Sequence, residues 1–268
     1  MHYYDWEKIM NYRLVVALGA LIFSGNCLAD HSWSTYHWAR TTLSFDLTVV
    51  NSTTSDWTPY VSDAMNDWSM STKLNMVEEE GDKSANIRRR CRAPKGKLRI
   101  CNDTYGNNGW LGIAGISIDG SGHITKGYTK LNDTYFSPSY EDGYYYTPAW
   151  KQSVACQELG HNIGLDHQDE NFHNQSLFSC MDYQDPPFEF PNDHDFEQLE
   201  SIYEHLDSSD SDDGTCNAPP GKGCNKAGAK NNNGWGKSMG RRGNAEVFIR
   251  TDQQGIRHLT HVTWINGH

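Results

Sequence analysis

The segment Cys156-Gln-Glu-Leu-Gly-His-Asn-Ile-Gly-Leu-Asp-His167 constrains the fold of this chain more than any other stretch. Its first half is typical of a helix, on which residues four apart share a face, so Gln157 and His161 project side by side. Gly164 can adopt the left-handed conformation that ends a helix and turns the chain. After such a turn, His167 can lie close to His161. The segment therefore predicts a helix, a tight turn and a cluster of side-chain donors.

The donors in this cluster are those of a zinc site. His161, His167 and the amide of Gln157 can surround one centre, and the carboxylate of Glu158 lies beside them. Three protein ligands leave the fourth position of a tetrahedral Zn²⁺ ion open for water, which is the arrangement of catalytic zinc sites. We therefore expect one catalytic Zn²⁺ ion held by Gln157, His161 and His167.

The same residues resemble the signature of the metzincin zinc endopeptidases, H-E-x-x-H-x-x-G-x-x-H followed by a Met-turn. The frame from Glu158 to His167 has the family's spacing, and Met181 follows in Ser179-Cys-Met-Asp-Tyr183, where the Met-turn is expected. The short distance to Met181 is similar to that in the matrixin-like group, whereas the Ser-x-Met-x-Tyr form is closer to astacins and serralysins. The resemblance covers about residues 40 to 206. It implies an α+β fold with a mixed twisted sheet, an active-site helix and a C-terminal helix.

The resemblance also implies an activity and roles for individual residues. A metzincin hydrolyses peptide bonds of protein or peptide substrates, and Glu158 would be its general base. The apolar side chain of Met181 would pack beneath the metal. Tyr183 would assist the oxyanion, as in astacins and serralysins, or else would only pack beneath the site. The edge strand that binds an extended peptide through its main chain would contain Leu111, Gly112, Ile113 and Ala114; an ordinary interior strand is the alternative.

Gln157 is the one departure from the signature, which has histidine at this position. The amide oxygen of Gln reaches about as far from its Cα as the distal imidazole nitrogen of His, but zinc prefers Cys, His and carboxylate donors. His173 or His194 could replace Gln157 as the third ligand. The rival hypothesis is a catalytically inactive protein of this fold that binds peptides or proteins without metal.

The start of the chain is typical of a secretory signal peptide. Arg13 precedes the apolar run from Leu14 to Phe23, and small residues precede a cleavage site after Ala29. The run is too short to span a bilayer comfortably, and Met10 is a natural alternative start. We therefore expect a secreted protein, extracellular or periplasmic, with no membrane association in its mature form.

The cysteine count agrees with export. Cys27 precedes the expected cleavage site, which leaves an even number of cysteines in the exported chain, as is typical of disulfides in an oxidising compartment. Their order favours three local pairs, with free buried thiols as the alternative. The pairs would be Cys91 with Cys101, Cys156 with Cys180, and Cys216 with Cys224.

The net charge of the chain indicates whether it can bind nucleic acids. The chain has 23 Lys and Arg against 34 Asp and Glu, a formal net charge of −11. An acidic protein gains little from the phosphate backbone, on which non-specific nucleic-acid binding depends. We expect no nucleic-acid partner and a monomer.

Hydrophobic periodicity predicts the order of elements and the domains. Expected strands cover residues 42–50, 73–79, 97–103, 111–118, 124–131, 245–250 and 259–265, and expected helices cover 57–68, 148–163 and 195–206. The domains would be a signal peptide (1–29), a catalytic domain (30–206), an acidic solvated linker (207–214) and a small disulfide-bonded β appendage (215–268). A calcium loop is the alternative for the linker, although its carboxylates lack EF-hand spacing.

Overall fold

The computed structural model describes residues 31–211 and 234–265. The predicted signal peptide, Cys216 and Cys224 lie outside the described residues. The strands are β1 (Phe45–Ser52), β2 (Leu74–Glu80), β3 (Leu98–Asp103), β4 (Trp110–Ile118), β5 (Ile124–Asn132), β6 (Lys237–Arg242), β7 (Ala245–Thr251) and β8 (Arg257–Trp264). The α-helices are α1 (Thr58–Trp68), α2 (Ala85–Arg90), α3 (Pro148–Asn162) and α4 (Asp193–Ile202).

The strands form one mixed sheet of eight strands, in the order β2-β1-β3-β5-β4-β8-β7-β6. The first four strands in this order pair in parallel, and every pair from β5 and β4 onward is antiparallel. Helices α1 and α3 pack against each other and against the sheet around a single large apolar core. The expected α+β class with a mixed sheet is confirmed.

Strand β4 has no free edge. It pairs with β5 on one side and with β8 on the other, and all nine of its residues are buried. The expectation that Leu111, Gly112, Ile113 and Ala114 form a substrate-binding edge strand is therefore wrong. The alternation of side chains along a strand reports which face is buried but not how many neighbours the strand has.

Residues 234–265 do not form an appendage separate from the sheet. Strands β6, β7 and β8 continue the sheet of the preceding residues, and Ile113 of β4 faces Val262 of β8 in the antiparallel register. On one face of β8, Leu259 is part of the central core. On the other face, Val262 belongs to a smaller apolar cluster.

The start of the expected acidic linker is docked rather than solvated. Asp207 donates its backbone N–H to the carbonyl of Arg40 and accepts the N–H of Arg40 on Oδ2, at 2.8 and 2.9 Å. Asp210 accepts a hydrogen bond from the N–H of Thr41 at 2.7 Å. The carboxylates of this acidic run hold the segment that precedes β1.

Helix α3 starts and ends as its sequence predicts. Thr147 caps its N-terminus by accepting the N–H of Trp150, and Pro148 occupies the first turn. Gly164 has φ +104°, and a Cβ there would lie 2.6 Å from the carbonyl oxygen of Tyr36. Glycine is therefore required both for the conformation and for the close approach of the two chain segments.

Two of the expected disulfides are present. Cys91 is bonded to Cys101, and Cys156 of α3 is bonded to Cys180, the residue before Met181. Within the described residues, no helix is long and apolar enough to cross a bilayer.

Candidate active site

Three imidazoles from separate parts of the chain meet at one point. His161 lies on α3, His167 follows the turn at Gly164, and His261 lies on β8. One ring nitrogen from each lies within 4.8 Å of one from each of the others, and the Nε2 atoms of His161 and His167 are 3.1 Å apart. The rings of His161 and His261 have centroids 3.9 Å apart. The sequence predicted that His161 and His167 would meet. His261 lies on a strand that was expected to belong to a separate appendage.

The environment of the rings suits a metal ligand set. The Nδ1 of His161 lies 2.9 Å from the carbonyl oxygen of Leu165, so the ring proton sits there and Nε2 keeps its lone pair. Both ring nitrogens of His261 and the Nδ1 of His167 are buried without a hydrogen-bond partner. Trp33 stacks on His161 with ring centroids 5.1 Å apart and fixes its plane.

The protonation states of the three histidines agree with this role. Burial lowers the pKa of His261 to about 3 and lowers the pKa of His161 and of His167 well below the ordinary value. Neutral imidazoles carry the lone pair that binds a metal ion. Buried polar groups without partners are costly, and a cation at the centre of the cluster would give one of the two ring nitrogens of His261 a partner.

The carboxylate of Glu158 lies directly beside the cluster. Its Oε2 is 3.9 Å from the Nδ1 of His261 and has no hydrogen-bond partner, whereas Oε1 accepts a hydrogen bond from Thr263 at 2.6 Å. Burial raises the pKa of Glu158 to about 7, opposed by His161 and by the Thr263 hydrogen bond. Gly112 of β4 leaves room for this side chain, because a Cβ there would lie 2.4 Å from Oε1.

Tyr183 packs against the cluster from another side. Its ring centroid lies 4.3 Å from that of His167. Burial raises the pKa of Tyr183 well above its ordinary value, so the hydroxyl stays protonated and can donate a hydrogen bond. A cavity of about 20 Å³ is lined by Gln157, Tyr183 and Thr263 among others; this is room for about one water molecule.

The side chain of Gln157 is engaged away from the three imidazoles. Its amide nitrogen donates to the carbonyl oxygen of Cys180 at 3.1 Å, and its oxygen lies 3.0 Å from the hydroxyl oxygen of Thr263, whose single proton it shares with Oε1 of Glu158. The replacement candidates are elsewhere as well. His194 stacks on His31, with ring centroids 4.9 Å apart, and His173 is exposed.

Met181 lies directly under α3. A Cβ at Gly160 would meet the Sδ of Met181 at 2.6 Å, so glycine permits the helix to rest on this side chain. The disulfide between Cys156 and Cys180 joins the same helix to the same loop. Both contacts hold the loop that contains Met181 at a fixed distance from the helix that bears His161.

His261 is absent from the ligands expected from the sequence. The run from Leu259 to Ile265 does predict a strand, with Leu259, His261 and Thr263 on one face. A histidine between an apolar residue and a β-branched residue on an inward face is the signal that could have singled it out, together with the missing histidine at position 157.

Comparisons with known proteins give little beyond the geometry. No protein-family model matches the sequence, and no curated protein matches it significantly. Among solved structures, the chain is similar to high choriolytic enzyme 1, a hatching enzyme zinc-protease from Oryzias latipes (medaka fish), at 11% identity and a TM-score of 0.35, over 64% of this chain and 96% of that chain. Such a likeness assigns no activity to this chain.

Proposed function

We propose that the protein is a secreted zinc-dependent metalloendopeptidase of metzincin-like fold, with His161, His167 and His261 as the zinc ligands. The observation that carries the proposal is the buried cluster of three neutral imidazoles with a carboxylate, Glu158, 3.9 Å from one of them. Three histidine ligands with an open fourth position are a known form of catalytic zinc site. The two disulfides are typical of an exported protein.

In this proposal His261 replaces Gln157 as the third ligand. Imidazole nitrogen is a better donor to zinc than a neutral amide oxygen, and both polar ends of Gln157 already have partners in the protein. Gln157 instead shares Thr263 with Glu158 and so helps to position the catalytic carboxylate.

The residues around the cluster perform the steps of peptide hydrolysis. When bound, zinc would acidify a water molecule and polarise the peptide carbonyl. The free Oε2 of Glu158 accepts the proton of the attacking water, while Thr263 holds Oε1 in place, and the carboxyl group then gives the proton to the leaving nitrogen. The hydroxyl of Tyr183, which stays protonated, donates a hydrogen bond to the developing oxyanion.

The substrate would have to approach differently from the expectation based on β4. Because β8 occupies the free side of β4, a peptide cannot extend the sheet there. The small cavity lined by Gln157, Tyr183 and Thr263 is separated from Glu158 by these side chains, and its volume of about 20 Å³ admits a water but not a peptide group. Peptide binding would therefore require movement of lining side chains such as Phe172.

A Glu158→Gln variant tests the catalytic role. We expect casein hydrolysis to fall by at least about a hundredfold, because the general base is lost, while the zinc content per chain stays that of the wild type, because the ligands remain. A Glu200→Gln variant, on the exposed face of α4, is the control and should keep full activity. Unchanged turnover in Glu158→Gln would contradict the proposal.

The ligand set is tested by a matched pair of variants. His261→Ala should lose one equivalent of zinc and all hydrolysis, whereas Gln157→Ala should keep the zinc. Loss of zinc from Gln157→Ala, with retention in His261→Ala, would make the amide the third ligand. If the wild type and His261→Ala hold equal zinc and neither cleaves casein, the catalytically inactive binding protein becomes the better hypothesis.

A further inference from the structure

A second cluster of histidines lies outside the candidate active site and joins three distant parts of the chain. His37 lies before β1, His123 lies between β4 and β5, and His205 and Asp207 follow α4. These residues belong to no part of the hydrolytic machinery described above. Their side chains nevertheless converge on a single carboxylate oxygen, Oδ1 of Asp207.

Several distances within this second cluster suit a metal site, and His37, His123 and Asp207 each offer one ligand atom within 4.8 Å of the others. Oδ1 of Asp207 lies 3.2 Å from the Nε2 of His123, 3.4 Å from that of His37 and 3.6 Å from that of His205. The Nε2 atoms of His37 and His205 are 3.2 Å apart. Zinc bonds of roughly 2.0–2.2 Å place tetrahedral ligands about 3.3–3.6 Å apart. The separations given therefore suit an ion held by His37, His123 and Asp207, which the half-exposed side chain of His205 could complete by a small rotation.

The position of the ring proton of His37 also favours a cation in this cluster. The Nδ1 of His37 lies 2.7 Å from the carbonyl oxygen of Thr35, so the proton of the neutral ring sits on Nδ1. In that neutral ring, Nε2 would direct a lone pair at the carboxylate oxygen of Asp207, 3.4 Å away. A cation between them makes both contacts favourable, and the backbone carbonyl on Nδ1 is the outer partner that metal-bound histidines usually have.

The other groups of the cluster are arranged in the same way. Oδ2 of Asp207 accepts the backbone N–H of Arg40 at 2.9 Å, which leaves Oδ1 for a metal. The carboxylate of Asp119 lies near the other ring nitrogen of His123, with 3.6 Å between Oδ2 and Nδ1. His205 is about half exposed, whereas Asp207 is buried, so an ion can enter from solvent on the side of His205.

We propose that His37, His123, His205 and Asp207 form a second zinc site, with a structural role. Three imidazoles and one carboxylate suit zinc better than calcium or magnesium, which prefer oxygen ligands. Four protein ligands leave no open position, unlike the three histidines beside Glu158, and closed sites of this kind stabilise folds. The ion would join the segment before β1 and the end of α4 to the turn between β4 and β5.

Zinc counting on the full chain tests this proposal. Wild type, His123→Asn/His205→Asn, His261→Ala and the triple variant are saturated with zinc, freed of excess metal and measured for zinc per chain. The expected values are two, one, one and none. Both asparagine substitutions are at side chains that are partly exposed, so folding should survive; circular dichroism checks it, and His173→Asn is the control.

A second measurement does not depend on counting. In the His261→Ala background, which keeps only the second site, a chelator should lower the melting temperature by several degrees. The triple variant should show no chelator effect. Equal zinc in the wild type and in His123→Asn/His205→Asn would overturn the proposal. One zinc in the wild type that is lost only in His123→Asn/His205→Asn would support the second site and contradict the proposed catalytic one.

Discussion

At the scale of single residues, one position on β8 connects the unusual features of the candidate active site. Thr263 contacts both Glu158 and Gln157, at 2.6 and 3.0 Å, and lies two residues from His261. In the proposed site, glutamine at position 157 and histidine at position 261 are therefore parts of one arrangement, in which the amide and the carboxylate share Thr263 and a strand supplies the third imidazole.

Replacing Thr263 by valine tests this arrangement. The variant keeps the shape of the side chain but removes the hydrogen bond that lowers the pKa of Glu158. A hydrogen bond to a charged group contributes about 1.5–3 kcal/mol, so we expect the acid limb of kcat/KM to move up by about one pH unit. Thr260→Val, on the opposite face of β8, is the control; a shift of equal size in both variants would contradict the role of Thr263.

At the scale of elements, the start of α4 is tied to the loop that bears Met181. Asp195 accepts hydrogen bonds from the hydroxyl of Ser179 at 2.6 Å and from the N–H of Asn192 at 2.7 Å, within a capping box. Burial raises the pKa of Asp195 to about 6, although both hydrogen bonds oppose the shift. The carboxyl of Asp195 therefore keeps its proton to a higher pH in the folded chain than in the unfolded chain, where it has its ordinary pKa.

This shift predicts a pH dependence of stability. Because the pKa of Asp195 is higher in the folded state, its contribution to the free energy of unfolding falls as the pH rises from about 4 to about 6. Asp195→Asn should reduce this fall by up to roughly 3 kcal/mol. Urea titrations in chelator would measure it, with Asp193→Asn in the same helical turn as the control. Parallel pH curves for wild type and Asp195→Asn would refute the prediction.

Elements specified by local patterns were predictable from the sequence. The helical spacing before Gly164, the paired strands around residues 119–122 and the two short-range disulfides all depend on residues close in the chain. Glu158, His161 and His167 meet for the same reason, because one helix and one turn determine their positions.

Contacts between distant segments were not predictable in the same way. The alternation in β8 places Leu259, His261 and Thr263 on one face, but the same pattern fits a strand of any sheet. Its pairing with β4 depends on complementary faces more than a hundred residues apart in the chain. The docking of Asp207 on Arg40 is a further case, since an acidic run usually indicates a solvated surface.

At the scale of the whole molecule, the sheet links the candidate zinc site to the pairing of its strands. His261 can reach His161 and His167 only while β8 is hydrogen-bonded to β4. Zinc bound by all three histidines would therefore stabilise this pairing, since a ligand that binds only the closed form shifts the equilibrium toward it.

Hydrogen exchange can measure this link. Removal of zinc by a chelator should speed amide exchange in β8, at residues 259–263, by at least about tenfold, because local opening of β8 is no longer opposed by metal binding. Exchange in β1, at residues 47–50, should change far less, since neither proposed zinc site includes a residue of β1. Equal protection of β8 with and without metal would show that His261 does not bind the ion.

In the proposed site, the position of His261, a hundred residues after His161, also determines when activity could arise during synthesis. Chains emerge from the ribosome at about 5–20 residues per second, N-terminal end first. A nascent chain that already carries Glu158, His161 and His167 still lacks a ligand until residue 261 emerges. A protease with this ligand set would gain its last zinc ligand only near the end of synthesis, so a chain that ends before residue 261 would lack activity.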